Sequence, residues 1–137
     1  MAQLNFGGVT ETVVIRDEFP LEKAREVLKD ETIAVIGYGV QGPGQSLNLR
    51  DNGFNVIVGQ RPGKTYEKAV ADGWVPGETL FGIGEGCQKA TIGMCLLCDP
   101  DVMSVWPSIK PCLTQDKALY YSHDCSISWR DRKGVVP

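Results

Sequence analysis

Thr32-Ile-Ala-Val-Ile-Gly-Tyr-Gly-Val-Gln-Gly-Pro-Gly-Gln-Ser-Leu-Asn-Leu-Arg-Asp-Asn-Gly53 is the stretch on which the reading of this chain turns. Thr32 to Ile36 is a short apolar run rich in β-branched residues, the signature of a buried strand. Gly37 ends it, and Gly37, Gly39 and Gly42 fall in the spacing G-x-G-x-x-G. Gly44 to Asn52 reads as a helix, with Leu47 and Leu49 among its apolar positions and Gly53 suited to end it. In a chain with 16 glycines the spacing alone is weak; a strand before it and a helix at or near its third glycine give it meaning. Gly37 permits a tight turn, Gly39 lets backbone approach a pyrophosphate, and Gly42 allows helix to pack closely on strand. The helix start then offers N–H groups to the phosphates. The motif therefore points to dinucleotide binding, against an ordinary glycine-rich turn.

Working outward, Phe54 to Val58 is a second apolar strand. Turns that bind NAD place an acid about 20 residues past the glycines, where it holds the ribose 2′-hydroxyl. Here the positions read Gly59-Gln60-Arg61-Pro62-Gly63-Lys64-Thr65, with no acid before Glu67. Arg61 and Lys64 suit a 2′-phosphate and Thr65 can donate to it, so NADP is expected over NAD. The alternative is a solvated basic loop. Tyr66 to Asp72 looks helical, Thr79 to Phe81 a weak strand, and a Gly-rich helical piece ends near Ala90. Thr91 to Leu97 is a clear strand, Val102 to Leu113 a helix interrupted by Pro107 and Pro111, and Ala118 to Ser122 a further strand. Upstream, Leu4 to Arg16 suggests an extended arm or short strand, and helical spacing runs from Pro20 through Lys29. Strands alternating with helices predict an α/β fold: a Rossmann-type doubly wound, mostly parallel sheet with helices on both faces. One domain is expected, with residues 1–30 as arm and helix and 31–137 as the dinucleotide-binding core.

Composition bounds the function classes. A length of 137 residues suits one domain, and 42% hydrophobic with 23% charged residues is ordinary for a globular chain. Net charge is −3 with no basic run, which argues against a nucleic-acid partner or an anionic membrane surface. No apolar stretch approaches the roughly 20 residues that span a bilayer. Met1 to Gly8 carries no export signal and no Arg-rich transit pattern, so the expected location is cytoplasmic, or an organelle if a transit peptide has been removed. The five cysteines (Cys87, Cys95, Cys98, Cys112 and Cys125) are then expected to be reduced. Cys95 and Cys98 are C-x-x-C, but three positions apart on a strand they point to opposite faces, so packing is expected rather than zinc or redox chemistry.

Ile36 to Gly53 also resembles the fingerprint of the ketol-acid reductoisomerase (acetohydroxyacid isomeroreductase) family, including its Asn-Leu-Arg stretch after the glycines. Asn5-Phe-Gly-Gly8, Asp72-Gly-Trp-Val-Pro-Gly77, Trp106-Pro-Ser-Ile-Lys-Pro111 and Ala118-Leu-Tyr-Tyr-Ser-His123 are similar as well. The resemblance implies the N-terminal NADP-binding domain of an NADPH- and magnesium-dependent oxidoreductase of valine, leucine and isoleucine synthesis. Such enzymes isomerise a 2-acetolactate-type substrate by alkyl migration, then reduce it to a 2,3-dihydroxy acid. Tyr38, Gly39, Val40 and Gln41 match the family's phosphate-binding turn, and Arg61, Lys64 and Thr65 its 2′-phosphate loop. Asp99 matches an acid after the Leu-Leu strand, and His123 a histidine kept beside the nicotinamide.

Two departures qualify what carries over. Asp124-Cys125 stands where the family has Gly-Phe, and a carboxylate there would raise the pKa of His123. The family's catalytic lysine and magnesium-binding carboxylates come later than Pro137, in a helical second domain. No metal site is therefore expected in this chain, and alone it is expected to be inactive, meeting substrate only if that domain is supplied. Two other readings stay open: a non-catalytic NADP-binding module or assembly partner, and a stand-alone reductase using only His123. A homo-oligomer is compatible with each.

Overall fold

The structure, a computed structural model, describes residues 1–122. The chain divides into two compact units, Met1–Asp30 and a second that begins at Glu31.

In the first unit, β1 (Ala2–Phe6) and β2 (Val9–Val13) form an antiparallel hairpin in which Phe6 faces Val9 and Ala2 faces Val13. Sequence reasoning expected one extended segment starting at Leu4. The chain instead folds back at Gly7-Gly8, whose φ values of 62° and 100° suit a two-residue hairpin turn. The Asn5 side-chain oxygen accepts from the Gly8 N–H at 2.9 Å and fixes that turn. Helix α1 (Leu21–Val27) follows Pro20, and it ends two residues before the expected Lys29.

The second unit is built on a five-stranded parallel sheet. Its strands are β3 (Ile33–Ile36), β4 (Val56–Gly59), β5 (Leu80–Phe81), β6 (Ile92–Cys95) and β7 (Ala118–Tyr121), in the order β5-β4-β3-β6-β7. Between them run α2 (Gln41–Asp51), α3 (Lys64–Ala71), α4 (Ile83–Lys89) and α5 (Asp99–Ile109), the last continued by a 3-10 turn over Lys110–Cys112. All four residues of β3 and of β4 are buried, as central parallel strands require. Ala34 and Ile36 join a core with Ile57, Phe81, Cys87, Val102 and Trp106. Val35 points to the opposite face and is fully buried too, so both faces are covered. This is the expected doubly wound Rossmann-type α/β fold.

Three helices start earlier than expected, α3 at Lys64 two residues before Tyr66 and two others by three residues. Helix α2 begins at Gln41 rather than Gly44, because Gln41, Gly42 and Pro43 occupy first-turn positions whose N–H groups need no partner inside the helix. Helix α5 begins at Asp99 rather than Val102, with Pro100 tolerated in its first turn for the same reason.

Strands β3 and β4 pair in register from Ile33 opposite Val56 to Ile36 opposite Gly59, while β3 and β6 pair from Ile33 opposite Ile92 to Ile36 opposite Cys95. From β3 the chain steps to β4 and β5 on one side, then returns to β6 and β7 on the other. The carboxyl ends of β3 and β6 therefore flank the switch point where open α/β sheets bind ligands. Cys87 and Cys95 are buried in the core, and burial pushes their thiols up to about 12 and about 11. Cys98 lies beyond β6 as the exposed residue capping α5. Among the described residues no helix is long and apolar enough to cross a membrane.

Candidate functional site

At the carboxyl ends of the central strands lies a cleft of about 360 Å³. The turn after β3 lines it with Tyr38, Gly39, Val40 and Gln41; the segment after β4 adds Gln60, Arg61 and Thr65. From beyond β6 come Leu96, Leu97, Cys98 and Asp101. The glycine turn and the basic loop, read separately in the sequence, thus open onto one space.

The three glycines of the motif differ in what a side chain would meet. At Gly37, φ is +101° and a Cβ would lie 2.7 Å from the Leu97 side chain. At Gly42 a Cβ would lie 2.1 Å from the Gly37 carbonyl oxygen, so α2 rests directly on the turn that leaves β3. At Gly39 no heavy atom lies within 4 Å. Gly37 and Gly42 therefore shape the turn from behind, outside the cleft lining, while Gly39 leaves open space on the cleft side. Val40 precedes α2 without a side-chain cap, and the first turn of the helix carries no acid. A helix start of that kind suits an anion.

Tyr38 reaches the site through its backbone. Its ring is fully buried, its hydroxyl donates to Asp72 Oδ2 at 2.9 Å, and it accepts from Trp74 Nε1 at 3.0 Å. Burial, reinforced by the Asp72 carboxylate, holds the phenol above its ordinary pKa. The Tyr38 N–H donates to Gln60 Oε1 at 3.1 Å. Gln60 Nε2 in turn donates to Thr65 Oγ1. Gln60, nearly buried at the end of β4, therefore ties the glycine turn to the loop after β4. Sequence reasoning passed over it; the available signal was a polar residue directly after an apolar strand, where only a satisfied side chain can be buried.

Arg61 forms an ion pair with Asp101, near the start of α5, and Cys98 Sγ donates to the other oxygen of the same carboxylate at 3.1 Å. The Cys98 thiol and then the Arg61 guanidinium hold Asp101 below the usual carboxylate range. Lys64 is exposed at the first position of α3 and does not line the cleft. Asp99 is half-buried at the first position of α5, also outside the lining. His123, with Asp124 and Cys125, lies outside the described residues; the residue before it, Ser122, accepts from Gln45 Nε2 of α2 at 3.1 Å.

Comparison with known proteins agrees with this architecture. The family model described as acetohydroxy acid isomeroreductase, NADPH-binding domain, matches residues 27–133. A ketol-acid reductoisomerase (NAD(+)) of Desulfosudis oleivorans is 57% identical over all of this chain and 39% of its own length. The mitochondrial ketol-acid reductoisomerase of Saccharomyces cerevisiae is 47% identical over all of this chain and 35% of its own. A solved NADH-preferring ketol-acid reductoisomerase from an uncultured archean superposes with a TM-score of 0.69 at 34% identity, covering 76% of this chain and 32% of that one. This chain thus spans between a third and two fifths of those curated relatives. It belongs to the acetohydroxy acid isomeroreductase, or ketol-acid reductoisomerase, family and corresponds to its NADPH-binding domain.

Proposed function

We propose that the cleft binds NADPH and that the chain is the cofactor-binding part of an enzyme converting a 2-acetolactate-type substrate into a 2,3-dihydroxy acid, in branched-chain amino-acid synthesis. The observation that carries this reading is the open space at Gly39, beside the capless start of α2, in a cleft that Arg61 also lines. In this reading the backbone of Gly39, Val40 and Gln41 faces the pyrophosphate. Arg61 and Thr65 face the 2′-phosphate, with exposed Lys64 adding charge at its margin. His123 acts beside the nicotinamide, which when bound supplies the hydride, and Asp99 is a further cofactor-binding residue. Residues 31–137 make the binding core and 1–30 the arm and helix of the same domain. The proposed location is cytoplasmic, a reducing compartment in which the exposed Cys98 stays a thiol. Neither nucleic acid nor a membrane is a partner in this reading, and a homo-oligomer is compatible with it.

Titration calorimetry tests the reading. NADPH binds more tightly than NADH, since a charge-assisted contact to the phosphate is worth roughly 1.5–3 kcal/mol before any competing group is counted. Replacing Arg61 with alanine removes the preference. Bound NADPH also slows alkylation of Cys98, which lines the cleft, while buried Cys87 and Cys95 stay protected with or without it. A chain that binds neither dinucleotide, or binds NADH more tightly, overturns the assignment.

Cofactor binding by the 137-residue chain is not expected to bring turnover. Alkyl migration needs two substrate oxygens polarised together by metal ions, and hard cations need several oxygen ligands in fixed geometry. Among the described residues no group of three or more His, Cys, Asp or Glu side chains could hold a metal. Of the nearby acids, Asp101 is already engaged by Arg61 and Cys98. With 2-acetolactate and magnesium present, NADPH absorbance stays at background. Turnover that vanished in His123→Ala would prove this wrong.

A further inference from the structure

The residue paired with Arg61 at the cleft is an acid from a different part of the chain. Arg61 and Asp101 are 40 positions apart, and both line the space in which a 2′-phosphate would meet the guanidinium. Asp101 is partly exposed, yet both of its carboxylate oxygens have partners. Cys98 holds one carboxylate oxygen at 3.1 Å, Arg61 takes the other, and the backbone carbonyl of Asp101 accepts from Ser104 Oγ at 2.8 Å. Its carboxylate therefore already occupies the guanidinium that the 2′-phosphate needs.

We propose that Asp101 determines how strongly the cleft discriminates between phosphorylated and unphosphorylated dinucleotide, by competing with the 2′-phosphate for Arg61. Two effects act in the same direction. A phosphate that engages Arg61 displaces an existing ion pair, whereas a ribose hydroxyl leaves that pair intact. A phosphate that enters also brings its negative charges close to a carboxylate, and like charges at that distance repel. The cleft thus carries an acid for the ribose end even though the sequence after β4 has none. It arrives from the start of α5 and does not occupy the customary place at the end of the second strand. Two of the relatives named above, one called NAD(+) and one called NADH-preferring, use the unphosphorylated cofactor on this fold, whereas the family model is described as NADPH-binding, so both choices occur around it.

The proposal rests on reading the cleft as the dinucleotide site, and the test separates the two. The affinities of NADPH and NADH are measured by calorimetry for the parent chain, Asp101→Asn, Arg61→Ala and the double variant. Asp101→Asn shifts the ratio of affinities toward NADPH by roughly fivefold or more, the scale of one exposed ion pair plus the relieved repulsion. The shift shrinks in the Arg61→Ala background, because the competition has lost its object, and it shrinks with added salt. A purely structural role for Asp101 would move both affinities together and would respond to neither change. Thermal melting of each variant reports folding separately. A ratio unchanged in folded Asp101→Asn, or a shift of the same size without Arg61, overturns the proposal while leaving the site assignment in place. Failure of the parent chain to bind either dinucleotide overturns both.

Discussion

Gly39→Val leaves the fold intact and removes dinucleotide binding. A Cβ at Gly39 meets no heavy atom within 4 Å, and φ there is not in the left-handed region, so valine finds both the room and the backbone it needs. The core strand before it stays packed, with Val35 and Ile36 buried as before. The empty space is also the place where backbone must approach a pyrophosphate closely, and an isopropyl group there holds the phosphates off by more than the reach of a hydrogen bond. Losing those contacts costs on the order of 3 kcal/mol or more, a hundredfold or greater fall in affinity. Calorimetry with NADPH, beside circular dichroism and a melting curve, reads both halves of the statement. A folded variant that binds NADPH as the parent does would place the phosphates somewhere other than this turn.

Legibility in the sequence follows the range over which each feature is determined. Ile33–Ile36 and Val56–Gly59 were readable because a parallel strand buried on both faces must be apolar at every position, a local property. The turn at Gly37 and the close packing at Gly42 were readable for the same reason: the spacing encodes a turn, and a Cβ at either position would press on its neighbours. Helix starts were harder. Gln41-Gly42-Pro43 is poor helix sequence, and what admits it is the freedom of first-turn N–H groups. The hairpin at Gly7-Gly8 had a local signal, two glycines between β-rich runs, which the expectation of a single arm overlooked.

What the sequence could not show is which side chains meet. Tyr38 stands inside the motif and looks like a ligand contact, yet its hydroxyl is committed to Asp72 and Trp74, 34 and 36 positions away. Arg61 was identified as a phosphate partner from the loop after the second strand. That it already faces a carboxylate depends on where α5 begins, one helix turn earlier than its apolar spacing suggested. Lys64, next to Arg61 and Thr65 in the same loop by sequence, falls outside the cleft lining because α3 starts there. His123 lies beyond the described residues, and its place at the site rests on the family resemblance.

Gly42→Ala, three residues from Gly39, should fail in the opposite way, by loosening the fold. The added methyl would sit 2.1 Å from the Gly37 carbonyl oxygen and 3.0 Å from its carbonyl carbon, both backbone atoms. Gly37 cannot retreat easily, since its own N–H donates to the Gly59 carbonyl at 2.9 Å and the Leu97 side chain packs where a Gly37 Cβ would lie. The alternative is for α2 to lift away from β3 and β4, which it packs against. Replacing glycine with alanine inside a helix gains up to about 1 kcal/mol, but relieving an overpacked contact costs about 1–3 kcal/mol and here involves two rigid elements. The cost wins, and at roughly 3–5 °C per kcal/mol for a domain of this size the midpoint falls by several degrees. Gly44→Ala is the internal control. It lies in the same helix, a Cβ there meets nothing within 4 Å, and only the helix gain applies, so its midpoint should rise slightly. Melting the three proteins side by side decides the matter. If Gly42→Ala melted at or above the parent while Gly44→Ala rose, α2 would not be seated on the turn after β3, and the close packing assigned to the third glycine would be wrong.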